Sequence, residues 1–92
     1  MENKSTEPRR KGLVAVAADG NAVSAHFGHC EGFRLATVEN GAVVAWGFVP
    51  NPGHRPGFLP VFLHERGVTA ILAGGMGQGA VDLFLEEGIE VV

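Results

Sequence analysis

Apolar residues fall into short blocks along this chain, separated by connections rich in glycine, proline and histidine. Residues 13–18, LVAVAA, form a continuous apolar run closed by Asp19-Gly20-Asn21, a pattern that suits a strand buried on both faces in the middle of a sheet. Residues 33–38 and 42–49 flank Glu39-Asn40-Gly41. Asn-Gly between apolar runs predicts a tight hairpin, because both turn positions want positive φ. Residues 50–57 carry three prolines and two glycines and read as a rigid loop. Residues 58–66 predict a short helix with Leu59, Phe62 and Leu63 on one face, Pro60 tolerated in its first turn and Gly67 as its stop. Residues 68–73 predict a buried strand. Residues 80–87 predict a second helix with Ala80, Leu83 and Phe84 inward and Gly88 beyond its end, and residues 89–92 begin a last strand.

The order β-β-β-α-β-α-β predicts an α/β domain built on a five-stranded mixed sheet. Right-handed crossovers and a central position for the long apolar runs give the spatial order 3-2-1-4-5, with the second strand antiparallel to its neighbours. Residues 22–32 read as a loop. Chain direction brings that loop, the loop after the third strand and the glycine run after the fourth to one rim of the sheet, where open α/β sheets bind ligands. His64, near the end of the first helix, falls at the opposite edge.

Composition narrows the function. An apolar fraction of 46% is that of a folded domain, and 92 residues allow one modest core. Residues 1–11 are polar and read as an unpacked tail, leaving 12–92 as the domain. The tail holds four of the seven basic residues, so the body sets Arg34, Arg55 and Arg66 against eight acids, a net charge of −5. That sign argues against nucleic acid as a partner. No apolar stretch is long enough to span a bilayer, so no membrane partner is expected. A single cysteine, Cys30, fits a reducing compartment, and the cytoplasm is the expected location.

The candidate chemistry lies in His26-Phe27-Gly28-His29-Cys30, two imidazoles and a thiol within five residues. Imidazole nitrogen and thiolate sulfur suit zinc, copper, iron and sulfide clusters, and His54 from the proline loop adds a fourth candidate metal ligand. One thiol cannot furnish the four thiolates of an ordinary iron–sulfur cluster, so the expected site is shallow and mixed-ligand, for a transient cofactor. The run Gly74-Gly75-Met76-Gly77-Gln78-Gly79 opens the second helix and reads two ways: an anion site made of main-chain N–H groups, or a tight turn that needs small residues. It matches neither the dinucleotide fingerprint nor the P-loop. Asp19 lacks the companion acids of two-metal nuclease chemistry and reads as a turn residue. Ser24 has no orienting acid for a hydrolytic triad.

Four segments taken together, Val14-Ala15-Val16-Ala17 with Asp19-Gly20, Val23-Ser24-Ala25-His26-Phe27-Gly28, Asn51-Pro52-Gly53-His54 and Ala73-Gly74-Gly75-Met76-Gly77, resemble the dinitrogenase iron–molybdenum cofactor biosynthesis family, the NifX-like proteins and the C-terminal domain of NifB. The resemblance runs from residue 12 to 92 in the right order. It implies a ribonuclease-H-like fold and a non-enzymatic role: binding, carrying or storing an iron–sulfur or molybdenum-containing cluster precursor, with cofactor-assembly proteins as partners. By position, His26 is the family's loop histidine and Gly74, Gly75 and Gly77 its glycine loop. Ser24, Phe27, Gly28 and Met76 join them as expected cofactor contacts, whereas His29, Cys30 and His54 belong to a ligand-richer branch. Relatives continue past the last strand into a loop and a final helix; without it, apolar sheet surface is uncovered and the expected state is a monomer or weak homodimer. The competing reading is a regulatory module that binds a small molecule or anion at the glycine loop alone.

Overall fold

The computed structural model describes residues 11–53, 55 and 57–92. Its elements are β1 (Lys11–Asp19), β2 (Ala22–Val23), a 3₁₀ turn (Phe27–His29), β3 (Gly32–Glu39), β4 (Ala42–Pro50), α1 (Phe58–Glu65), β5 (Ala70–Leu72), α2 (Gln78–Glu86) and β6 (Glu90–Val91). The sheet runs β4-β3-β1-β5-β6, and β2 pairs with the end of β1. β3 is antiparallel to both β1 and β4, whereas β5 is parallel to β1 and β6 to β5. The sheet thus has six strands where five were expected. The segment expected to be a loop turns at Gly20-Asn21 and folds back on β1, with Ala18 opposite Val23 and Asp19 opposite Ala22. Of the expected tail, Lys11 already belongs to β1, and residues 1–10 lie outside the described residues.

Asn40 (φ 53°) and Gly41 (φ 85°) both adopt the left-handed region that a two-residue hairpin turn demands. β4 keeps register with β3 except at Val44, which bulges out between Ala45 (opposite Thr37) and Val43 (opposite Val38). The crossovers β4→α1→β5 and β5→α2→β6 step the same way across the sheet. Right-handed connections therefore place both helices on the same face.

That face holds the core. Ala15, Ala17, Phe33 and Ile71 from the strands meet Leu59, Phe62, Leu63 and Phe84 from the helices, all buried in one cluster. Leu83, expected to point inward, is exposed instead. The opposite face differs from the sequence reading of β1. Val14 and Val16 are only half-buried there, because no described helix packs over them. The long apolar run thus reflects a central place in the sheet, with one face covered rather than two. On the open face Phe48 lies across Gly32, where an added Cβ would come within 2.3 Å of the ring. No helix among the described residues is long and apolar enough to cross a membrane.

Candidate functional site

The parallel directions of β1, β4 and β5 put their carboxyl ends on one rim, and the loop between β2 and β3 is fastened there almost entirely by main-chain bonds. Ser24 N–H donates to Ala17 O at 2.7 Å, continuing the β1–β2 pairing. The Ser24 hydroxyl accepts from His26 N–H (3.1 Å) and donates to His26 O (3.0 Å), a local turn that fixes the backbone of His26. His29 N–H donates to His26 O and closes the 3₁₀ turn (3.0 Å). Phe27 anchors the turn below, its ring meeting Phe84 edge-on at 5.4 Å and 69°.

Two further connections hold this loop. From β5, Gly74 N–H donates to Ser24 O (2.8 Å), and Phe27 N–H donates to Gly75 O (3.3 Å). The approach is close enough that a Cβ on Gly74 would lie 2.7 Å from Ser24 O, and one on Gly75 2.3 Å from Ala25 O. From the end of β4, the Asn51 side-chain amide donates to Cys30 O (3.0 Å) and Gly28 O (3.3 Å), while Asn51 N–H donates to Glu31 O (3.0 Å). Asp19 closes the outer end by accepting from Glu31 N–H (2.9 Å), the turn role expected of it.

Between these loops lies an open cleft of about 470 Å³, within the size range of small-ligand sites. One wall carries His26, Phe27, Gly28 and His29; the other carries Gly75, Met76, Gly77 and the first turn of α2. Both imidazoles are solvent-exposed. Gly77, the N-cap of α2, supplies no capping side chain, and the Gln78 side chain turns instead to Asp82 (2.9 Å). The positive end of the helix dipole therefore borders the cleft. A smaller, apolar hollow of about 230 Å³ shares Phe27 and Ala80 with the cleft and has Arg55 at its margin. Arg55 stacks on Phe58 at 4.1 Å.

Of the residues expected at the site, His26, Phe27, Gly28, His29, Gly75, Met76 and Gly77 line the cleft. Three others are placed differently. Cys30 is 4% exposed and packs in the core cluster beneath the loop. Ser24 is buried, with its hydroxyl spent on His26. Gly74 serves the close packing of the two loops, and its N–H is taken by Ser24 O. The glycine run thus divides: its first half is a tight contact between loops, and only its second half faces the cleft. His54 lies outside the described residues. Among the described residues no group of three or more His, Cys, Asp and Glu side chains is placed to hold a metal ion. The sequence reading passed over Asn51 as a fastening residue. Its signal was the Pro-Asn-Pro setting, where Asn51 Oδ1 accepts from Gly53 N–H (2.9 Å) and the amide is left to reach across.

Burial pushes the Cys30 thiol above its usual pKa, the effect outweighing nearby main-chain hydrogen bonds that favour the thiolate. A neutral, enclosed thiol is a poor nucleophile. Cys30 is expected to resist Ellman's reagent in the native protein at pH 8 and to react at least about 100-fold faster in denaturant. A raised folded-state pKa also contributes stability below the ordinary thiol pKa, and that contribution is lost as pH climbs through the raised value. Reaction in the native state at the rate of a free thiol would show that the cysteine is accessible after all.

Fold and cleft together define a one-sheet α/β domain whose rim presents imidazole, thioether and main-chain groups to a small ligand. The chain belongs to the dinitrogenase iron-molybdenum cofactor family, whose sequence signature matches residues 10–92. It is similar to the uncharacterized protein MJ0580 of Methanocaldococcus jannaschii, with 32% identity over 83 residues, covering 85% of this chain and 70% of the relative. The crystal structure of PH0822 superposes with a TM-score of 0.78 at 32% identity, over 87% of this chain and 74% of that one. The crystal structure of MJ0327 from M. jannaschii shares the fold at a TM-score of 0.68 and 20% identity, over 88% and 73% of the two chains. Family membership associates the protein with processes that concern the iron–molybdenum cofactor.

Proposed function

We propose that this protein is a non-enzymatic carrier of a metal–sulfur cofactor precursor, iron–sulfur or molybdenum-containing, and that the cleft between the histidine loop and α2 is its seat. The observation that carries the reading is the pairing of two exposed imidazoles, His26 and His29, with Met76 and the uncapped start of α2 across the same open cleft. Nitrogen and thioether donors suit the metal of such a cargo, and the helix end suits its negative charge. Few protein donors leave coordination positions for an acceptor protein. Delivery then proceeds by ligand exchange, one imidazole–metal bond breaking as a bond to the acceptor's donor forms. Asp19 supports the non-enzymatic part of the reading, since its carboxylate is engaged in a turn and no set of acids joins it among the described residues. We read the sheet as a ribonuclease-H-like scaffold put to binding, with assembly proteins as the partners.

The test is anaerobic titration with ferrous iron plus sulfide, and separately with tetrathiomolybdate, followed by elemental analysis and visible absorption after desalting. The wild type is expected to retain metal with charge-transfer bands. His26→Ala/His29→Ala is expected to lose at least about 10-fold in affinity while keeping its circular dichroism spectrum. Cys30→Ala is expected to retain metal, because the thiol sits in the core. Metal-free wild-type protein after both titrations would overturn the proposal. So would metal retained equally by the double variant, which would favour an anion module resting on the α2 end alone.

A further inference from the structure

The sheet ends on one side in β4, nine residues long and unpaired along its outer edge among the described residues. From Ala42 to Val49 it carries no charge and no proline, so it lacks the usual devices that keep an edge from pairing, apart from the bulge at Val44. Its open-face side chains are large, apolar and exposed: Trp46 at 66%, Phe48 at 54% and Val44 at 56%. With Val43 they present on the order of 400 Å² of apolar surface, the size at which a patch on a monomer usually has a use. The other edge, β6, is two residues long and bears Glu90, and so offers no comparable row.

We propose that β4 is a homodimerisation edge, pairing antiparallel with β4 of a second copy about a two-fold axis beside Trp46. A row of outward N–H and C=O groups meets its own copy with donors opposite acceptors only when the strands run antiparallel, which is a two-fold arrangement. A neutral strand does not repel itself, whereas a partner chosen by charge would find nothing on it to recognise. The pairing sets the two Trp46 rings side by side and joins the open faces of both sheets into one apolar floor. An edge of this length with four side chains falls below the roughly 800 Å² per partner of a standard interface. The dimer is therefore weak and concentration-dependent. It leaves the rim cleft of each copy free, because that cleft lies at the carboxyl ends of the parallel strands.

Trp46 is the chain's single tryptophan, and there is no tyrosine, so intrinsic fluorescence reports on this edge alone. Sedimentation velocity from about 5 µM to about 1 mM is expected to show a monomer–dimer equilibrium. Across the same range Trp46 emission shifts to the blue, and alternate β4 amides gain hydrogen-exchange protection while those of β1 do not change. Val44→Lys, at an exposed position, is expected to shift dimerisation at least about 10-fold to higher concentration with an unchanged circular dichroism spectrum. A protein that stays monomeric at about 1 mM overturns the proposal. So does a dimer whose β4 amides and Trp46 emission do not respond to concentration, since its copies would meet elsewhere.

Discussion

Gly75→Ala is expected to unfold at markedly lower urea, with a loss of about 2–4 kcal/mol, and to lose the cargo site with it. The new methyl would sit 2.3 Å from the Ala25 carbonyl oxygen, a main-chain atom with no rotamer to escape into. Relief requires the two loops to part, which breaks the bond from Gly74 N–H to Ser24 O and the one from Phe27 N–H to Gly75 O. Gly79→Ala is the control. It lies in the same glycine run, in the first turn of α2, where an added Cβ meets nothing within 4 Å. Alanine's better helix propensity makes that change neutral or stabilising by up to about 1 kcal/mol. Equal effects at the two positions would remove the claim that close packing, rather than a general need for glycine, shapes this run. Chemical denaturation with two probes measures both.

Phe27→Ala is expected to cost about 3–4 kcal/mol, and it acts on the core and the cleft at once. The ring is buried, meets Phe84 edge-on, and forms a shared wall between the cleft and the neighbouring apolar hollow. Truncation leaves a cavity beneath the 3₁₀ turn and removes an aromatic pair worth about 0.5–1.5 kcal/mol beyond its buried area. Because His26 and His29 flank Phe27, metal affinity should fall further than either single histidine replacement predicts. Phe27→Leu keeps most of the volume and should recover more than half of both losses. Thermal unfolding together with metal titration of the two variants separates the contributions. Unchanged stability in Phe27→Ala would show that the turn does not depend on its anchor.

Much of the scaffold was legible because its signals are local. Asn40-Gly41 specifies its own turn, and Leu59, Phe62 and Leu63 mark the buried side of α1 by spacing alone. The misreadings share a different cause. Gly74 and Gly75 are small because main chain from Ser24 and Ala25 passes against them, and a contact between segments fifty residues apart leaves no local trace. Cys30 is both a soft metal ligand and a small apolar residue, and only its depth beneath the loop distinguishes the two. β2 has two residues, too few for alternation to register, and its pairing is a consequence of the turn at Gly20-Asn21. The open face escaped notice because LVAVAA reads alike whether one side of a central strand is covered or both.

The histidine loop hangs from its neighbours by peptide groups and by the single side-chain amide of Asn51, while the imidazoles of His26 and His29 project from it into the cleft. Shape and ligand identity are thereby written in separate parts of the chain. Exchanging His26 for cysteine, or Met76 for histidine, would change which metal the rim prefers without redrawing the rim. A scaffold of this kind is a socket: descendants could be retuned from one metal–sulfur cargo to another by one-residue steps, each passing through a folded intermediate.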